Sequence, residues 1–454
     1  MSQYLAGSAA PIPIEHYDQL IAYFETACRP RGEWRVGTEY EKVAVLRDSG
    51  LAAPFTGGIE EILRRMADRY RWQPIVEDGR IVALQDHGSI TLEPGGQFEL
   101  SGEPFENVHQ ARREFEEHVE QIVTVAEPLG IVFLGLGIQP ISRLERIEWV
   151  PKKRYRIMGP YMEQVGTLGQ RMMKQTATVQ VNIDFGSEPD AMRKLRTGMG
   201  IASLLTAMFA NSPITDGELN GYASLRGHIW TDTDNHRSGL LPFVFGELCD
   251  FSDYANYALD VPMYFIVRDG QWFNMTAMTF RQFWQHGHQG HRATMDDWNA
   301  HLTTLFPEFR IKRYIEARSI DSQPPELMLA APAIIKGIFY ADDCLAAAWD
   351  LVKAWTWDER MQAYHDSHRE ALKPRVRGIS MRDYAVELLA IARTGLERAA
   401  VLDDDGRDES KYLEPLAQLT EQGLCPADLQ IAKWHGSWAT DPQAMVRDTQ
   451  YRRR

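Results

Sequence analysis

The stretch TATVQVNIDF (176–185) alternates without a break. Ala177, Val179, Val181, Ile183 and Phe185 make one face, and Thr176, Thr178, Gln180, Asn182 and Asp184 the other. Successive side chains of a strand point to opposite faces, so this segment reads as a strand with one apolar and one polar side. Three further segments share the pattern. In residues 36–45, Glu39 and Glu41 lie on one face, about 7 Å apart at strand spacing, with Val36, Thr38, Tyr40 and Ala44 opposite. In residues 90–100, Glu93, Gln97 and Glu99 share parity, and Pro94-Gly95-Gly96 is expected to bulge or kink the strand between them. In residues 311–320, Lys312, Tyr314, Glu316 and Arg318 share a face, with Ile311, Ile315 and Ala317 on the other.

Any one of these could be an antiparallel strand with a solvated side, but such a side is usually rich in Lys and Thr. These faces instead pool Glu39, Glu41, Glu93, Glu99 and Glu316 with almost no balancing lysine. Crowded like charges need cations. Oxygen ligands without a nearby His or Cys pair select a hard metal such as Mg²⁺ or Mn²⁺, and several carboxylates point to more than one ion. Mg²⁺ clusters commonly bridge phosphates, so ATP is the expected co-ligand. No GxxxxGK[ST], GxSxG or HExxH occurs, and no GxGxxG opens a helix after a strand. The cluster HGHQGH (286–291) sits among Gly and Gln and reads as a surface loop.

The rest of the chain supplies helices. Apolar residues recur at helical spacing over residues 14–28, 59–70 and 105–127, the last ended by Pro128 and Gly130. A buried strand follows at 131–138, a helix near 190–210, and mostly helical patterns at 342–371 and 380–402. The acidic run at 403–409 reads as a solvated loop and the YRRR tail as frayed. At 454 residues the chain can bury a large core, and a formal net charge of −14 argues against nucleic-acid binding. Cys28, Cys249, Cys344 and Cys425 form no short-range pair, which suits a reducing compartment. No signal peptide or long apolar run is evident, so neither secretion nor membrane insertion is expected.

Six ordered blocks now become informative together: VGTEYEK (36–42), ITLEPGGQFELSG (90–102), TATVQVNIDF (176–185), ANSPITDGELNGYASLRGHIWTDTD (210–234), YALDVPMYF (257–265) and HLTTLFPEFRIKRYIEARSID (301–321). They resemble glutamate-cysteine ligase of the plant and proteobacterial type, over about residues 30–345. The resemblance implies an α+β fold with a glutamine synthetase-like core. In it a curved, mostly antiparallel sheet forms a funnel-shaped active site, with helices packed outside. It implies ATP-dependent joining of the L-glutamate γ-carboxylate to the L-cysteine amine, the first step of glutathione synthesis, with two or three Mg²⁺ ions. Glu39, Glu41, Glu93, Glu99 and Glu316 match the family's metal ligands, and Gln180 stands where some relatives carry a ligand histidine. Arg226 and Arg318 match arginines near the glutamate carboxylate and the transferred phosphate, and Glu316 and Arg318 are the candidate catalytic pair.

These readings divide the chain into a catalytic core over 1–345, with an N-terminal helix, and a mainly helical region over 346–454 packed on it, and the two are expected to form one continuous body. A monomer or homodimer is expected. The chain starts close to the first family-like helix, which favours a bacterial cytoplasmic protein without a plastid leader. The redox switch of plant members is not carried over, for want of a cysteine pair. Neutralising Glu316 is expected to abolish turnover and leave the fold intact. The rival readings are a ligase of the same fold using another amine, a silent binding protein, and a metal-dependent hydrolase.

Overall fold

The computed structural model describes residues 12–246 and 248–453. Its centre is a nine-stranded sheet: β1 (Val36–Leu46), β2 (Gln73–Glu77), β3 (Arg80–Gln85), β4 (Ser89–Leu92), β5 (Phe98–Ser101), β6 (Ile131–Leu134), β7 (Thr178–Ile183), β8 (Phe309–Ile311) and β9 (Ile315–Asp321). The order across the sheet is β8-β9-β7-β1-β5-β4-β3-β2, and β6 pairs with the far end of β1. Every pairing within it is antiparallel. β1 is the spine, because its 11 residues pair with β7 at one end, with β5 in the middle and with β6 at the other. The sheet does not close into a barrel.

Helices cover the apolar face. α1 (Asp18–Glu25), α2 (Glu60–Arg69) and α3 (Val108–Ala126) lie within the stretches that carry the helical periodicity. α3 sets Phe115 against Tyr40 of β1, rings 4.8 Å apart, on the side of the strand away from Glu39 and Glu41. α4 (Glu188–Phe209) is buried along nearly its whole length, since β9 covers one side and two later helices the other. α5 (Ala330–Phe339) crosses α6 (Met381–Ala399) where Gly337 meets Gly395. A Cβ on Gly395 would fall 2.0 Å from the Gly337 carbonyl oxygen, so only glycine permits this approach. One apolar core runs from Ile14 to Tyr451. Among the described residues no helix is long and apolar enough to cross a membrane.

Four expectations need correction. Residues 90–100 and 311–320 do not form single strands but belong to hairpins, β4–β5 and β8–β9. The first reverses at Glu93–Gln97, where the Glu93 N–H donates to the Gln97 carbonyl at 3.0 Å and Gly96 takes φ of 84°. The tail is not frayed at Tyr451, which is buried and donates its hydroxyl to the Gln323 carbonyl at 2.8 Å. Arg454 lies outside the described residues. The acidic run is not wholly solvated either. Its last residue, Glu409, is fully buried and ion-paired with Lys336 of α5 at 2.6 Å.

Candidate active site

The polar face of the sheet walls a cavity of about 870 Å³, open mouth included. Glu39, Glu41, Glu93, Glu99, Gln180, Arg226 and Arg318 all line it, and Glu316 stands just behind Arg318. Register explains the gathering. Glu41 on β1 lies directly opposite Glu99 on β5, and Glu39 lies opposite Gln180 on β7. Like charges directly across a ladder are normally destabilising, so the arrangement is built for something other than stability. Glu93 enters from the β4–β5 turn, and ligand-capable oxygens of Glu41, Glu93 and Glu99 lie within 4.8 Å of one another. The turn is seated against backbone. A Cβ on Gly95 would meet the Lys174 carbonyl oxygen at 2.1 Å.

The partners of this trio are neutral. The Thr178 N–H donates to Glu41 at 2.9 Å, and the Thr91 and Ser101 hydroxyls donate to Glu99 at 2.7 and 2.5 Å. Gln180 and Asn182 each give an amide hydrogen to Glu39 at 3.1 Å. Burial, with the charges of Glu93 and Glu99 added, pushes the Glu41 carboxyl well above its ordinary range. Burial likewise raises Glu39, with Glu316 and Glu99 adding to it.

The raised Glu41 has a consequence for stability. The folded state holds its proton more tightly than the unfolded chain. The group's contribution is therefore full below about pH 4.3 and is lost as pH rises through the folded value. Glu41→Gln is expected to stabilise the chelator-treated protein near about pH 8 by about 1–3 kcal/mol, the usual cost of a buried, poorly compensated polar group. The gain should vanish near about pH 4. Urea melts at the two pH values check this, and a destabilised variant at the higher pH would refute it.

The other end of the site differs from expectation, because Glu316 does have basic partners. Arg310 Nη2 and Arg318 Nη1 lie 2.5 Å from its Oε1, and Lys312 Nζ lies 2.6 Å from Oε2. Burial alone would raise the Glu316 carboxyl, but Arg310, Lys312 and Arg318 outweigh it and hold the group well below the usual range. Arg318 also donates to the Gln180 side-chain oxygen, and its guanidinium lies 5.4 Å from the Phe306 ring and 5.7 Å from the Trp230 ring. Arg226 comes from the helix Leu225–Trp230, capped by the Ser224 hydroxyl, which accepts from the Gly227 N–H at 3.0 Å. Its Nη2 donates to the Arg318 carbonyl at 2.8 Å, and Nη1 lies 3.7 Å from Asp321 Oδ1. Asp321 also accepts from the Ser212 and Ser224 hydroxyls at 2.7 and 2.9 Å, so one buried carboxylate ties β9 to the arginine helix.

Two site residues escaped the sequence reading. Arg310 has the same parity as Lys312, Glu316 and Arg318, and extending that segment by one residue would have found it. Arg154, in the run PKKRY, comes from the start of a helix after a loop and has no alternation to announce it. The HGHQGH segment is a turn in which His288 and His291 exchange backbone hydrogen bonds. The four cysteines are free.

Fold and side chains together define a sheet-walled funnel that sets carboxylates suited to hard cations beside arginines suited to anions. The chain belongs to glutamate-cysteine ligase family 2, whose model matches residues 35–445. It is 42% identical over 438 residues to the chloroplastic glutamate-cysteine ligase of Brassica juncea, covering 96% of this chain and 84% of the relative. It is 43% identical over 431 residues to the chloroplastic glutamate-cysteine ligase of Arabidopsis thaliana, covering 94% and 81%. The fold is similar to the crystal structure of glutamate-cysteine ligase from Francisella tularensis in complex with AMP, with a TM-score of 0.55 at 13% identity, covering 91% of this chain and 87% of that one. These relatives run against the expectation of a cytoplasmic protein, because the curated plant enzymes are named chloroplastic.

Proposed function

We propose that this chain joins the γ-carboxylate of L-glutamate to the amine of L-cysteine at the expense of ATP, through γ-glutamyl phosphate, as the first step of glutathione synthesis. The observation that carries the reading is the trio Glu41, Glu93 and Glu99, with oxygens within 4.8 Å of one another, in the same cavity as Arg226 and Arg318. Family membership and the AMP bound by the Francisella tularensis enzyme support an adenine nucleotide as co-substrate.

The donor set fits hard divalent ions, since every candidate ligand is an oxygen, and burial, with the charges of Glu93 and Glu99 adding to it, leaves Glu41 in need of a positive partner. Mg²⁺ held by Glu41, Glu93 and Glu99, with Glu39 beside them, would neutralise the phosphates of ATP, with Mn²⁺ as a substitute, whereas Glu316 and the Gln180 side-chain oxygen, expected from the sequence as ligands, are taken up by Arg310, Lys312 and Arg318. The protein's own groups do the rest. Arg318 offers a planar fork to the γ-phosphoryl group as it leaves ADP for the glutamate γ-oxygen. Arg226, aligned by Asp321, holds the glutamate carboxylate. Gln180 shares its amide between Glu39 and Arg318, which links the two ends of the site. Trp230, Phe306 and Met173 line the cavity with apolar surface and keep water from the acyl phosphate until the amine displaces phosphate. No enzyme nucleophile is needed.

The test is ADP release by the full chain with Mg²⁺, glutamate and ATP, with cysteine present or omitted. ADP should form at a substantial rate only when cysteine is present. Equal release without it would overturn the reading, and release with another amine alone would reassign the acceptor.

A further inference from the structure

Arg318 sits at an irregular point of the sheet. The register between β9 and β7 shifts between Ala317 and Ile320, so the ladder to β7 does not hold this residue as it holds its neighbours. Its backbone is fastened elsewhere. The Arg318 N–H donates to the Glu308 carbonyl at 2.9 Å, and its carbonyl accepts from Arg226 Nη2 at 2.8 Å. Glu308 directly precedes β8, and its own N–H donates to the Gly239 carbonyl at 3.1 Å. The stance of Arg318 therefore depends on where Glu308 stands.

Glu308 is held from the C-terminal region. Its buried side chain accepts, at Oε1, from the Tyr364 hydroxyl at 2.5 Å. Tyr364 is itself buried, in the helix Trp357–Glu370. One turn on, His368 of the same helix supports the other arginine. Its carbonyl accepts from the Ala223 and Ser224 N–H groups at 3.0 and 2.9 Å, just before the helix Leu225–Trp230 that carries Arg226. Its ring lies 4.4 Å from the Tyr364 ring, and a Cβ on Gly227 would fall 2.5 Å from its Cδ2. Glycine at 227 thus lets the arginine helix seat directly on the His368 ring. Neither nitrogen of that ring finds a hydrogen-bond partner among the described residues, so the ring acts by shape.

A buried hydroxyl and a buried carboxylate are favourable only as a pair, because removing one partner strands the other. Placement at a phosphoryl-transfer site is demanding, since a shift of about 1 Å can cost about 100-fold in rate. We propose that the helix Trp357–Glu370 sets the geometry of the two arginines, with Tyr364 and Glu308 as positioning residues that act through Arg318. This rests on the ligase reading above, in which Arg318 meets the transferred phosphate. The competing role is plain packing, in which the bond between Tyr364 and Glu308 adds stability and leaves catalysis alone.

Tyr364→Phe keeps the ring and removes the hydroxyl. It is measured in the full chain, alone and combined with Arg318→Lys. Alone it should lower kcat for ADP release by about 10-fold or more and leave KM for cysteine within about 2-fold of parental. In the Arg318→Lys background it should cost less than about 2-fold further, because residues that act as a unit are not additive. Equal losses in both backgrounds, or a lowered melting temperature with parental kcat, would overturn the assignment. Glu308 supplies a second arm. Glu308→Gln keeps an acceptor for the hydroxyl and should retain kcat within about 3-fold, whereas Glu308→Leu should lose as much as Tyr364→Phe. The same kcat in both Glu308 variants would overturn the proposal, and this pair decides alone if Tyr364→Phe does not fold. Absence of cysteine-dependent ADP release from the unaltered chain would overturn the ligase reading itself, whereas an active parent with additive losses would overturn only the positioning role.

Discussion

Glu316→Gln is expected to lower folding stability by about 3–5 kcal/mol at neutral pH as well as to abolish turnover, because it leaves Arg310, Lys312 and Arg318 without their shared carboxylate in a buried setting. This reverses what the acidic pattern alone suggests, namely relief of repulsion. The pH dependence has a definite sign. The folded carboxyl is held below its unfolded value, so its contribution is complete above about pH 4.3 and is lost as pH falls through the folded value. The stability gap between parent and variant should therefore close in acid. Urea melts of the metal-free protein across that range test this, and a variant as stable as the parent near about pH 7 would refute the ion-pair account.

Arg318→Lys is expected to cost about 2–4 kcal/mol in the chemical step, roughly 30- to 1000-fold in kcat. Charge builds on the phosphoryl group during transfer, and a planar guanidinium can meet two of its oxygens where an ammonium meets one. The competing role is structural, since Arg318 already bonds Glu316 and Gln180 and stacks near Phe306 and Trp230. Lysine keeps the charge but loses the fork. Steady-state kinetics and a melting curve separate the two roles: a lowered melting temperature with near-parental kcat would remove Arg318 from the chemistry.

Much of this was legible beforehand because alternation is a local property. β1 and β7 lie where their period of two places them, and Glu39, Glu41 and Gln180 face the cavity as their parity requires. The helices α1 to α3 were readable for the same reason at a period of 3.6. The two hairpins were misread as single strands for opposite reasons. Pro94-Gly95-Gly96 reads equally well as a bulge or a turn, whereas Lys312-Arg313-Tyr314 contains no Gly, Pro, Asn or Asp to announce one. Parity survived both errors because each reversal keeps the acids on the same side: Thr91 pairs with Glu99, and Arg310 with Glu316.

By itself the sequence determined β1, β6 and β7, which face of β1 and β7 is polar, the family, and a pool of acids too large for a solvated surface. Those follow from short-range periodicity and from residue identity, which need no knowledge of what lies across the sheet. Only the tertiary structure decided how the charges are shared. Glu41, Glu93 and Glu99 converge with neutral partners, while Glu316, on the same polar face, is neutralised by three bases, two of them from across its hairpin and its turn. Burial and pairing set a carboxylate's proton affinity, and both depend on neighbours brought together from residues 41, 93, 99, 310 and 316, distances along the chain over which no periodicity carries information.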